Sequence, residues 1–140
     1  MERIVFLDRA TIGPTVRINK PGFDHAWIEH DATAAAEIAE RLAGATIAIT
    51  NKAPIRAETL ARLPGLRMIA VAATGYDVVD VRACRERGVV VANVRGYGVN
   101  AVPEHTFMLI LALRRSLIGC RRDDALPRRR STIPSAPSAS

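Results

Sequence analysis

The sequence predicts an α/β protein: a doubly wound parallel β-sheet covered by helices on both faces. Three observations lead there. Apolar runs of strand length alternate with helix-forming segments in the order βαβαβαβα. The runs are continuous rather than alternating with polar residues, as in strands buried on both faces. The helical segments stop at Gly44, Pro64-Gly65 and Gly88, the residues that end helices ahead of a following strand.

Taken in order, 3–7 (RIVFL) is a short buried strand and 9–25 a loop rich in Gly, Pro and turn formers. Residues 26–30 form a second strand. Asp31-Ala-Thr33 offers a cap for a helix over 34–42, where Ile38 and Leu42 fall on one face. A strand at 46–50 (TIAIT) leads into the loop Asn51-Lys52-Ala53-Pro54, then a helix over 56–63 and a strand over 67–73. Residues 80–87 are helical and 89–94 a strand. Pro103 suits the first turn of a long helix reaching about Leu117.

Length and composition set limits. The chain has 140 residues, 49% hydrophobic and 24% charged, as in an ordinary globular protein with one real core. No apolar run approaches the roughly 18 residues needed to span a bilayer, and the apolar run near the N-terminus is too short for a signal peptide. The expected location is the cytoplasm, with no membrane partner. Cys84 and Cys120 lie far apart without metal-ligand spacing, so they read as packing residues and no metal site is expected. The net charge of +6 is half a property of the tail, where Arg121, Arg122, Arg128, Arg129 and Arg130 outweigh Asp123 and Asp124. A nucleic-acid surface spreads its charge over a folded face, so no nucleic-acid partner is expected. Residues 123–140 have no periodicity and little to bury, and they read as a disordered Arg/Pro/Ser tail.

Two stretches bear on chemistry. In doubly wound sheets ligands bind beyond the carboxyl ends of the strands. Both Thr50-Asn51-Lys52 and Thr74-Gly75-Tyr76 fall at such ends. At Thr74-Gly75 a bare backbone turn can present successive N–H groups to an anion. Asp77 and Asp80 follow, and turn formation and capping explain them better than a catalytic carboxylate pair. The second stretch, Gly96-Tyr97-Gly98-Val99-Asn100-Ala101, matches the dinucleotide pattern G-x-G-x-x-G/A. Residues 93–95 separate its first glycine from the strand core, and no second strand with a ribose-binding acid follows. It therefore reads as a Gly-rich connection.

The segment TNKAPIRAETLARLPGLRMIAVAATGYDVVDVRACRERGVVVANVRGYGVNAVPEHTFMLILALRRSL resembles the first part of a D-isomer-specific 2-hydroxyacid dehydrogenase. It is most similar to the glycerate dehydrogenase/hydroxypyruvate reductase branch. The resemblance covers roughly residues 3–122, and TGYDVVD and VPEHTFMLILALRR carry it. It implies a flavodoxin-like substrate domain over 1–122, incomplete here, ending in an inter-domain helix at 102–118. It further implies that Thr74 and Gly75 receive the substrate carboxylate and that Asn51 and Lys52 line the pocket. Thr74, Asn100, Ala101 and Val102 would meet NAD or NADP. Position 101 is alanine where many relatives carry Ser or Thr, which removes one cofactor hydrogen bond. His105 matches the family's PEHT helix and not its catalytic histidine.

Past Arg122 the family continues into a nucleotide domain with its G-x-G-x-x-G and a catalytic Arg, Glu and His, none of which follows here. No catalytic residue is therefore expected in this chain, nor stable cofactor binding. The expected function is the substrate-binding portion of an NAD(P)-dependent dehydrogenase of small 2-oxo and 2-hydroxy acids, inactive alone. The alternative is a non-catalytic carboxylate-binding or partner-docking module. The helix at 103–117 is apolar nearly all round; left uncovered it would favour self-association.

Overall fold

The computed structural model describes residues 1–117 and 119. Cys120, the arginines beyond it and the expected tail at 123–140 lie outside the described residues. The chain divides into two compact units, Met1–Tyr97 and a second beginning at Gly98.

The first unit is built on five parallel strands: β1 (Glu2–Phe6), β2 (His25–Glu29), β3 (Ile47–Thr50), β4 (Met68–Val71) and β5 (Val90–Asn93). Their order is β2-β1-β3-β4-β5, the flavodoxin-like arrangement. Successive pairs are in register, for example Val5 beside Ala48, Ala48 beside Ile69 and Ile69 beside Val91. The connections carry α1 (Ile38–Arg41), α2 (Ala57–Ala61) and α3 (Val81–Glu86).

The burial pattern explains why these strands hold. In β3 and β4 alternate residues are fully and partly buried. Ala48, Ile69 and Val71 join Val5 and Leu7 in one cluster with Ile38 and Leu42 beside α1, Leu60 of α2 and Ala83 and Cys84 of α3. On the alternate face Ile47, Ile49, Met68 and Ala70 are only half-buried, while Ile4 and Phe6 of β1 beside them are buried. The sequence predicts helices on both faces; α1, α2 and α3 instead contribute to a single core on one face. Each fully buried Leu or Ile side chain contributes roughly 1.5–3 kcal/mol, so this cluster is the main stabilising element.

Strands lie where the apolar runs place them, with ends shifted by a residue or so. The helices of this unit are shorter than expected. The cap expected from Asp31-Ala-Thr33 is not made. The Thr33 hydroxyl instead donates to the Leu7 carbonyl and accepts from Arg41 Nη1 at 2.7 Å, which ties α1 to the end of β1. A 3₁₀ turn over Ala35–Glu37 replaces the first helical turn. The Glu37 carboxylate accepts from the Ala34 N–H at 2.9 Å and pairs with Arg41 at 3.0 Å. By contrast, Asp80 caps α3 as expected, its carboxylate accepting from the Ala83 N–H at 3.0 Å. Phe23 and Trp27 fasten the loop before β2. His25 lies edge-on to both, at 5.6 and 6.0 Å between centroids, and Lys20 stands over Trp27 at 5.4 Å.

In the second unit α4 spans Gly98–Arg114. It begins five residues before Pro103, where the sequence suggests a start. Pro103 falls in the second turn and forfeits one backbone bond there. Its apolar side chains, among them Phe107, Ile110 and Leu113, are exposed, as is His105. No described helix is long and apolar enough to cross a membrane.

Candidate functional site

A parallel sheet collects its βα turns at one edge. In the order found here the chain reverses direction between β1 and β3, so the crevice where doubly wound folds take ligands lies past Phe6 and Thr50. That place is filled from within. Asp8, the second residue after β1, is only 4% exposed. Its carboxylate accepts from the backbone N–H groups of Asn51 (2.9 Å), Lys52 (2.5 Å) and Ala53 (2.8 Å). Three successive amides converging on two oxygens make an anion nest, and its anion is a side chain of the same protein. Thr50, fully buried, closes the turn by donating its hydroxyl to the Ala53 carbonyl at 2.9 Å. Thr11 joins the network: its hydroxyl donates to the Asp8 carbonyl at 2.7 Å and accepts from Asn51 Nδ2 at 2.9 Å.

Of the residues expected at the site, Asn51 and Lys52 therefore have their backbone donors committed. Asn51 also spends a side-chain N–H on Thr11. What the pair can still offer is the Asn51 carbonyl oxygen and the exposed Lys52 ammonium, which has no ion-pair partner among the described residues.

The turn after β4 is different. The Thr74 hydroxyl donates to the Val94 carbonyl at 3.0 Å, and the Thr74 carbonyl accepts from Asn93 Nδ2 at 2.7 Å. The residue is thereby pinned to the end of β5. From Thr74 to Val78, however, no backbone N–H donates to any group among the described residues. Gly75 keeps this turn bare. It does not need a left-handed backbone, but a Cβ there would stand 3.2 Å from the Asp77 carboxylate. Beside the turn is a hollow of about 150 Å³ lined by Tyr76, Val81, Val91 and Asn93. It is far smaller than the roughly 300–1,000 Å³ that drug-sized ligands occupy, and suits a molecule of a few heavy atoms. A larger hollow, about 560 Å³ between Glu2, Phe23 and Arg67, lies at the opposite edge of the sheet, where the strands begin.

The two turns are joined. Ile55 pairs with Val79 as an isolated parallel bridge, with Ile55 N–H donating to Val78 at 2.8 Å and Asp80 N–H to Ile55 at 3.0 Å. Arg56 adds a bond from Nη1 to the Asp77 carbonyl at 2.8 Å. Sequence reasoning did not single out Asp8, Arg56 or Asn93. Asp8 carried a signal all the same, an acid directly beyond a buried strand at the ligand edge.

Behind the second turn, Cys84 of α3 is fully buried and its thiol is pushed above the usual range, first by burial and then by the Asp80 charge. It is a packing residue, as expected. Among the described residues no group of three His, Cys, Asp or Glu side chains could hold a metal ion.

Asn100, Ala101 and Val102 fall in the first turns of α4, in the second unit. Gly96 has a left-handed backbone (φ 76°), and two residues separate it from the end of β5. No strand follows α4 among the described residues, so these residues do not form a dinucleotide site by themselves.

Comparison with known proteins fits this arrangement. The family model described as D-isomer specific 2-hydroxyacid dehydrogenase, catalytic domain, matches residues 15–133. Glycerate dehydrogenase of Methylorubrum extorquens is 49% identical over 118 residues, 84% of this chain and 37% of that protein. Hydroxypyruvate reductase of Blautia hydrogenotrophica is 39% identical over 77 residues, 55% of this chain and 24% of that one. Among solved structures, an acyclic imino acid reductase in complex with NADPH and D-Arg superposes with a TM-score of 0.70 at 21% identity. That match covers 92% of this chain and 43% of the reductase, and it speaks for the fold alone. The chain thus spans well under half the length of these relatives.

Proposed function

Because the chain belongs to the D-isomer specific 2-hydroxyacid dehydrogenase family, we propose that it is the substrate-binding portion of such an enzyme. It receives the carboxylate of a small 2-oxo or 2-hydroxy acid, of the size of glycerate or hydroxypyruvate, at the turn after β4. The observation that carries this is the run of uncommitted N–H groups from Thr74 to Val78, at the ligand edge and beside a hollow of a few heavy atoms. A carboxylate accepting two or three such bonds gains charge-assisted hydrogen bonds, about twice as strong as neutral ones. Thr74 and Gly75 are the proposed contacts. Asn51 offers an acceptor oxygen to a substrate hydroxyl, and the Lys52 ammonium draws the anion in.

A nicotinamide cofactor would supply the hydride in such a reaction; Thr74 is the first unit's proposed contact with it, and Asn100, Ala101 and Val102 are those proposed for the second unit. The described residues do not build the rest of that site. They also present no histidine at the turn after β4 to move the hydroxyl proton, nor an arginine shown to face a bound oxo acid. The chain alone is proposed to bind acid without turning it over. Association of copies through the apolar side chains of α4 is part of the same reading.

Titration calorimetry with glycolate, the smallest 2-hydroxy acid, and with its uncharged amide tests the binding claim. Binding of glycolate with no binding of glycolamide is expected. Equal binding of the two, or none of either, contradicts the carboxylate reading. Reduction of hydroxypyruvate by the chain alone with NADH or NADPH would contradict its being inactive.

A further inference from the structure

We propose that Asp8 is a positioning residue for the substrate loop: an internal carboxylate that occupies the anion nest at the sheet's reversal point and sets the conformation of Asn51 and Lys52. Three features argue for more than ordinary burial. First, all three amides from Asn51 to Ala53 point at one carboxylate, at 2.5–2.9 Å for the nearest oxygen, the convergence that makes a backbone anion nest. Second, this nearly buried carboxylate has no cationic partner among the ion pairs of the described residues, so backbone amides, with the Thr50 hydroxyl at 3.4 Å, satisfy it. Third, the turn so fixed also places the Asn51 side chain: the main-chain carbonyl of residue 8 anchors the Thr11 hydroxyl that receives Asn51 Nδ2.

The consequence is a division of labour at the ligand edge. Asp8 occupies the amides that this crevice would otherwise offer to a ligand, and at its rim Lys52 keeps its side chain exposed. The acid is left to the turn after β4. The effect on substrate rests on the proposed carboxylate reading; the internal nest does not.

The experiment uses the full chain and amide hydrogen exchange followed by NMR. In Asp8→Ala, protection of the Asn51, Lys52 and Ala53 amides is expected to fall at least about tenfold, while the amides of β3 and β4 keep theirs. Formate, which matches the missing carboxylate, is expected to restore that protection. Sodium chloride at equal ionic strength and bulky pivalate are not. Unchanged protection at 51–53, or equal recovery with chloride, overturns the proposal.

Should Asp8→Ala fail to fold, Asp8→Asn keeps the shape and removes the charge. It is expected to lose protection at 51–53 alone, and retained protection there counts against the proposal. The same Asp8→Asn chain should bind glycolate about tenfold more weakly than the unmodified one, a change that a purely structural role away from the site would not produce. If the unmodified chain binds no glycolate, the carboxylate reading of the β4 turn fails, and the formate result still decides the nest.

Discussion

The turns after β3 and β4 are neighbours, linked through Ile55 and Val79, and both present consecutive backbone amides at the edge where parallel sheets bind ligands. One is closed and the other open. After β3, Asp8 takes up the amides of Asn51, Lys52 and Ala53. After β4, those from Thr74 to Val78 are uncommitted. The first shows what a carboxylate does in a backbone nest of this fold. The second has the same kind of donors and no internal acceptor among the described residues, which supports the proposed reading of that turn as the place of an external anion.

The largest expected effect breaks the closed turn. Asp8→Ala strands three donors, Ala53 N–H in a fully buried position, and should cost about 3 kcal/mol or more. In a domain of this size that lowers Tm by roughly 10–20 °C, read by circular dichroism. A loss under about 1 kcal/mol would mean that the amides are satisfied by water and that the two turns do not differ as described.

The open turn should behave in the opposite way. Gly75→Val places a branched side chain where even a Cβ stands 3.2 Å from the Asp77 carboxylate, and shields the amides. Glycolate binding is expected to weaken about tenfold or more, with Tm within a few degrees of the unmodified chain, since little is buried there. A stability loss as large as that of Asp8→Ala would make this turn structural too. Asn93→Ala, which removes the 2.7 Å bond to the Thr74 carbonyl, should cost about 1 kcal/mol and weaken glycolate several-fold.

The smallest effect concerns α3, which stands behind the open turn. The Cys84 thiol is raised, so the folded state keeps its proton where the unfolded chain loses it. The stability linked to this proton is complete below the ordinary thiol range, about 8.5, and is lost as pH rises toward the folded value. The unmodified chain should lose stability between pH 8 and 10 more steeply than Cys84→Ala, by denaturant titration. Equal slopes would show that the thiol is not held in its neutral form.

The sequence made the strands legible because buried parallel strands read as unbroken apolar runs, and the reversal order followed from the family resemblance. Asp80 was legible as a cap, being local in sequence. Asp8 was not, because its partners lie more than forty residues away and only the pairing of β1 with β3 brings them together. The Asp31-Thr33 cap failed for the same reason: a distant carbonyl, that of Leu7, claimed the Thr33 hydroxyl. Thr74 and Gly75 stood out by their place at a strand end. That their amides are uncommitted while those of Asn51 and Lys52 are not is a matter of tertiary pairing that no local pattern records.

The most direct measurement is a ¹⁵N–¹H correlation titration of the unmodified chain with glycolate. Saturable shifts at Thr74, Gly75 and Tyr76, with the amides of Asn51, Lys52 and Ala53 still held by Asp8 and nearly unmoved, are the predicted result. Shifts centred on 51–53, or none at 74–76 beyond those produced by chloride, would contradict the assignment of the open turn as the carboxylate site.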